Sequence, residues 1–242
     1  MQNTSRKKGI STLIILAMVL LLPGFLYVLV NRMGASNTYV KLPVYGEKVL
    51  TGTVSRKMGR EIKDTLFHQV PVVQFEDMDG RTVNFIDNDT TISVVHLFYT
   101  KDKSFSRTMI NRLNKVATNL KRNPKVRFYS ISADPTSDTP EILKVYTQGY
   151  RADEKRWSFL TNPSVDILQF AREELLLDAM RDPQDTTKII IGSSYILLDS
   201  QRRIRGFYDL NLNTELERLE EEVKLQLVEE YRNAPIKVQQ KH

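Results

Sequence analysis

The stretch SVVHLFYT, Ser93 to Thr100, decides how the chain folds. It is an almost unbroken run of β-branched and aromatic residues, which suits a central strand buried on both faces of a mostly parallel sheet. Downstream, Met109, Leu113, Val116 and Leu120 recur at helical spacing within 105–120, predicting a helix with one face inward. Strand character returns over 125–133. A second helix follows over 140–150, with Ile142, Leu143 and Tyr146 on one face and Pro140 in the first turn, where its missing N–H costs nothing.

Further on, the pattern predicts a helix over 163–180, an antiparallel strand pair at 194–199 and 203–208, and an amphipathic helix over 213–231. That last helix turns Leu216, Leu219, Val223 and Leu227 inward. The narrow seam also fits a coiled coil, but about two heptads are short for one, so the helix is expected to cover the sheet. Upstream, VPVVQFEDMDGRTVNF (70–85) predicts a hairpin turning at Met78-Asp79-Gly80-Arg81, because Gly accepts positive φ in a tight turn. Strands alternating with helices imply an α/β architecture, a central sheet with flanking helices.

The 21 residues from Ile10 to Val30 carry no charge, and about 20 apolar residues cross a bilayer core as a helix. Pro23 and Gly24 are tolerated there as a kink. Arg6, Lys7 and Lys8 would also suit a signal peptide, but no small-x-small cleavage site follows before Arg32, so an uncleaved single-pass anchor is expected. Three cations before the span against Arg32 after it place the N-terminus in the cytoplasm and the body outside it, on the periplasmic side in a bacterium. The organisation expected is a cytoplasmic 1–9, an anchor over 10–30, a tether over 31–64 with scattered Gly and little periodicity, a folded domain over 65–235 and a tail over 236–242.

Among 242 residues there is no cysteine, which excludes disulfides, thiolate nucleophiles and thiolate metal ligands. The net charge of +6 owes three cations to the N-terminal flank. No basic cluster is interleaved with aromatics, so no nucleic-acid partner is expected.

The segment from Ile131 to Pro163, ISADPTSDTPEILKVYTQGYRADEKRWSFLTNP, resembles the SCO/SenC family. Its members carry a strand ending in Asp-Pro, then Asp-Thr-Pro-Glu, a helix and Trp-x-Phe-Leu-Thr. Here these are Asp134 and Pro135; Asp138, Thr139, Pro140 and Glu141; and Trp157, Phe159, Leu160 and Thr161. LPVYGEKV (42–49), LLDSQRRIRGFYD (197–209) and VKLQLVEEY (223–231) extend the resemblance to roughly 40–232. The resemblance implies a thioredoxin-like fold and a part in assembling the copper centre of cytochrome c oxidase, using Cys-x-x-x-Cys after the central strand and a distant His. At the matching positions this chain has Asp102, Ser106 and Ile191. Cu(I) prefers soft sulfur ligands, and thiol–disulfide exchange needs both an attacking thiolate and a leaving sulfur.

The residues themselves suggest structural roles. Asp102 and Ser104 precede a helix and suit capping, as do Asp138 and Thr139 before Pro140. His96 reads as a hydrogen-bonded core histidine, Met109 as core filling, His68 as a weak candidate ligand and His242 as a terminal residue. Ser106 lacks a nucleophile elbow, and Ser193-Ser194 offers nothing better. The expectation is a non-catalytic, membrane-anchored binding module for a protein partner in a respiratory or other membrane complex, with no cofactor. The alternative is a chaperone for copper or another metal that uses substitute ligands such as Asp102, His96 or Met109.

Overall fold

The computed structural model describes residues 16–29, 41–57, 60–87, 90–148, 150 and 156–233. Contacts divide the chain into two units, 1–40 and 41–242. In the first, helix α1 covers 16–29 and exposes Leu16, Leu20, Phe25 and Tyr27. Among the described residues no helix is long and apolar enough to cross a membrane. The rest of the span expected over 10–30 lies outside the described residues, as do residues 1–9, 31–40 and 236–242.

The second unit starts well before the boundary expected at 65. Leu42 is in the core, and the Tyr45 N–H donates to the Ile204 carbonyl at 2.9 Å. Strands β1 (Lys48–Lys57) and β2 (Arg60–Phe67) then pair antiparallel as a separate two-stranded sheet, where a featureless tether was expected. Val49, Leu50 and Leu66 are exposed. With little hydrophobic alternation over 48–67, the sequence carries little sign of this ladder. Gly46, at φ +94°, lets the chain pass His68: a Cβ there would lie 2.5 Å from the His68 Cβ.

Strands β3 (Val73–Asp77) and β4 (Thr82–Phe85) form the expected hairpin. Gly80 takes φ +73°, and one Asp77 carboxylate oxygen accepts from the Asp79 and Arg81 N–H groups. The main sheet is completed by β5 (Ile92–Phe98), β6 (Val126–Ser132), β7 (Trp157–Thr161), β10 (Ser194–Leu198) and β11 (Ile204–Asp209). Its order is β11-β10-β5-β6-β7-β3-β4. The middle three strands, β5, β6 and β7, are parallel, and the flanking strands are antiparallel. All seven residues of β5 are buried, the burial its apolar run requires.

Helices α2 (Phe105–Asn119), α3 (Pro140–Thr147) and α5 (Asn213–Asn233) cover one face. The Tyr195 hydroxyl donates to the Met109 carbonyl in α2, and Phe98 stacks on Tyr146 in α3. Tyr208, paired across the ladder with Tyr195, donates to Glu222 in α5. Leu216, Leu219 and Val223 are buried and Leu227 packs at the margin, so α5 covers the sheet as its spacing predicts. On the opposite face Phe75 and Phe85 meet Phe170 of α4 (Ile167–Glu173).

The helix expected over 163–180 is shorter. Asp166 caps α4 by accepting the Gln169 N–H at 3.0 Å. The helix stops because Leu176 adopts φ +53° and the Leu177 N–H turns back to the Ala171 carbonyl. The chain then forms a small hairpin of β8 (Ala179–Arg181) and β9 (Ile189–Ile191).

Arg205, 2% exposed, joins the two ends of this unit. Its guanidinium donates to Asp199 (3.0 Å), Glu229 in α5 (2.7 Å) and the carbonyls of Leu42 and Pro43. A buried cation is tolerated when its donors are satisfied in this way, and removing it strands the Glu229 carboxylate, whereas Asp199 keeps its pair with Arg203. Arg205→Leu is therefore expected to cost about 3–5 kcal/mol, read as a lowered denaturant midpoint of the detergent-solubilised chain.

Candidate functional site

The loop leaving β5 at the C-terminal edge of the parallel strands holds Asp102, and the first turn of α2 holds Ser106, the two residues expected to stand at the cysteine positions of the resemblance. Asp102 Oδ1 accepts the N–H groups of Ser104 and Phe105, both at 3.0 Å, and Oδ2 accepts the Ser106 N–H at 2.9 Å. These are N–H groups that the first turn of a helix leaves without partners. Asp102 thus caps α2 from two residues before Ser104, which sits at the geometric N-cap and makes no side-chain capping bond. The Ser106 hydroxyl is buried; it donates to Asp102 Oδ2 and accepts the Tyr99 N–H, both at 3.2 Å. The two positions therefore touch through a hydrogen bond between oxygens.

Around them, two more carboxylates tie loop to loop. Lys101 donates to Asp134 Oδ2 at 3.0 Å and to the Ser137 hydroxyl at 2.5 Å, while Thr136 donates to Asp134 Oδ1. Burial works to raise the Asp134 pKa, but the hydrogen bonds from Thr136, Lys101 and Ser137, with the Lys101 charge, hold it below the usual value. Burial, reinforced by Asp102 and Asp134, pushes the Tyr99 phenol up. Its hydroxyl donates to the Ile189 carbonyl at 2.9 Å, pinning the β8–β9 hairpin to this loop.

Asp138 departs from the expected capping role. It is fully buried and accepts the Thr100 N–H, the Thr100 hydroxyl (2.5 Å) and the Ser132 hydroxyl (2.6 Å). Thr139 is the N-cap of α3, yet makes no side-chain capping bond. The reason is tertiary: strand register sets Phe98 opposite Ser132, so donors from both strand ends converge on Asp138. No spacing in the sequence signals Thr100, Lys101 or Ser132 as its neighbours' partners.

The other candidates are dispersed. His96 is buried, with Nδ1 3.0 Å from the Leu97 carbonyl and Nε2 2.6 Å from the Ser130 hydroxyl. A carbonyl only accepts, so Nδ1 carries the proton; Ser130 accepts the Trp157 indole N–H and gives its own proton to Nε2. Both ring nitrogens are thus engaged, and burial lowers the His96 pKa to about 3. Met109 is buried in the core. His68 Nε2 lies 2.8 Å from the Glu174 carbonyl, and Ser193 donates to Asp209. Ile191 is an aliphatic residue in β9 opposite Ala179. Trp157, Phe159, Leu160 and Thr161 are buried in β7, and Pro135 follows Asp134 in the loop after β6. His242 lies outside the described residues. Among the described residues no group of three His, Cys, Asp or Glu could hold a metal ion.

Residues 69–225 match the SCO1/SenC family. The chain belongs to that family. A SCO1 protein homolog of Bacillus subtilis is 26% identical over 168 residues, 69% of this chain and 86% of the relative. A SCO1/SenC family lipoprotein from Bacillus anthracis superposes with a TM-score of 0.60 at 25% identity, covering 66% of this chain and 95% of its own. BsSco, described as a member of the Sco family of cytochrome c oxidase assembly proteins with a disulfide switch, gives 0.59 at 25% identity, covering 69% and 98%. This SCO1/SenC protein has the family's fold but no cysteine with which to form such a switch.

The oxygen and imidazole groups of the site lead to two expectations. An unfolded His96 takes up a proton at its ordinary value of 6.5, whereas the folded one stays neutral down to about 3. The unfolded state therefore binds more protons, and stability falls as pH drops below 6.5. The slope approaches about 1.4 kcal/mol per pH unit. Denaturant titrations from pH 7 to pH 5 measure it, and His96→Gln flattens it. Asp138→Asn, which turns a donor toward converging donors, costs about 2–3 kcal/mol by the same measurement at pH 7.

Proposed function

We propose that this chain is a non-catalytic, membrane-anchored docking member of the SCO/SenC family, acting in the assembly of cytochrome c oxidase or another membrane complex. The observation that carries the reading is the Asp102–Ser106 pair: both positions present oxygen, and those oxygens are occupied with helix capping and with each other. The donor set does not fit Cu(I), which selects soft sulfur, because carboxylate and hydroxyl are hard ligands and Ile191 offers no donor. Two hydroxylic or carboxylic oxygens cannot exchange with a disulfide either. Engagement of both His96 nitrogens argues against substitute ligation there.

Assembly is supported by the family, one of whose members, BsSco, is described as a cytochrome c oxidase assembly protein. Anchoring is supported by the charge-free sequence over 10–30, by the exposed apolar side chains of α1 and by the lipoprotein from Bacillus anthracis among the relatives. The flanking cations favour a cytoplasmic N-terminus with the body on the other side.

A Cu(I) competition titration tests the reading. The detergent-solubilised chain is expected to leave bicinchoninate-bound Cu(I) untouched. Asp102→Cys/Ser106→Cys, which supplies two sulfurs, is expected to withdraw it. Tight withdrawal of one Cu(I) per chain by the unsubstituted protein overturns the non-catalytic role.

A further inference from the structure

A groove of about 740 Å³ opens between α2 and α3 beside the loop that carries Asp102. Arg107 and Asn111 form the α2 wall, and Ile142, Val145 and Tyr146 with Tyr150 form the other. The volume lies in the range of sites that enclose small ligands or a few peptide residues. The α3 wall is apolar and open to solvent, Ile142 at 45% and Val145 at 68% exposure. The Tyr146 ring is braced by stacking on Phe98 at 5.7 Å, and the Tyr150 ring lies at the margin, 5.9 Å from Tyr146.

The polar groups of the groove are unequal. The Glu141 carboxylate is satisfied by the Thr139 hydroxyl and by its own backbone N–H, which lower its pKa. Arg107, by contrast, forms no ion pair among the described residues. The Tyr146 hydroxyl is buried against Tyr150, the neighbour it interacts with. Burial raises its pKa, so it remains a donor. Among the described residues the groove therefore offers one unpaired cation, with the Tyr146 hydroxyl behind Tyr150, next to an apolar wall.

We infer that the groove binds a linear segment of a partner protein in which an acidic residue adjoins an apolar one. The carboxylate pairs with Arg107 and, once Tyr150 gives way, accepts from the Tyr146 hydroxyl; the apolar side chain covers Ile142 and Val145. This rests on the docking role proposed above and names the chemistry of the partner. A charge-assisted bond to guanidinium supplies orientation, and the apolar contact supplies the buried area that a lone surface ion pair lacks.

The test follows the methyl resonances of Ile142 and Val145 in the full chain in detergent, titrated with acetyl-Asp-Leu-Phe-amide. Saturable shifts are expected. Affinity should be at least fivefold weaker for the Lys-Leu-Phe counterpart. Arg107→Gln should weaken the Asp peptide about tenfold and Tyr146→Phe about threefold. Both substitutions keep the packing, since Arg107 is exposed and the Phe ring retains the stack on Phe98. Absence of saturable shifts overturns the inference, as does equal binding of the Asp and Lys peptides. Benzoate binding as tightly as the peptide also overturns it, in favour of a free small carboxylate. The Cu(I) titration reads only the Asp102–Ser106 loop, so either result can fail while the other stands.

Discussion

The edge of this sheet that bears the site hangs on the carboxylate of Asp138. Three donors, from Thr100 after β5 and Ser132 at the end of β6, converge on it in a fully buried position. Two adjacent parallel strands leave their loops at the same edge, and unless something joins those loops each is free to drift. A buried carboxylate is stable only when such donors surround it, so the burial and the bonds require one another. The Lys101–Asp134 pair adds a second, more exposed tie between the same loops.

On that edge, Asp102 and Ser106 present oxygen where the resemblance implies sulfur. Sulfur there could change oxidation state or capture a soft metal. Asp102 and Ser106 spend their oxygens on the first turn of α2 and on each other, which makes the loop a fixed surface. The same trade of chemistry for rigidity recurs at His96, whose two nitrogens are committed to Leu97 and Ser130 inside the core. The groove beside the loop has the reverse character: a guanidinium that forms no ion pair among the described residues, and exposed aliphatic side chains. On the proposed reading, recognition belongs to the groove and not to the Asp102–Ser106 pair.

Much of this was legible from side-chain patterns. The run from Ser93 to Thr100 is apolar on both faces because β5 is covered on both faces, and the 3.6-residue spacing of Leu216, Leu219 and Val223 follows from α5 lying on the sheet. The hairpin at Gly80 was visible because its turn needs a residue that tolerates positive φ. The β1–β2 hairpin was not, since 48–67 shows little of the alternation by which a strand is read. The end of α4 at Leu176 was hidden as well: a non-Gly residue at positive φ is held by the contacts around it and carries no mark of its own.

By itself the sequence determined most strands of the main sheet and the helices α2, α3 and α5, that no thiol chemistry is possible, and to which family the chain belongs, because periodicity, composition and motif are local properties of the chain. Only the tertiary structure decided that Asp138 joins strand ends instead of capping α3, that Ser106 and Asp102 share a hydrogen bond, and that Arg107 faces an open groove while Arg205 is enclosed by carboxylates. The physical reason is that a polar side chain's role is set by which donors and acceptors the register and packing bring within about 3 Å of it, and residues far apart in the chain supply most of them.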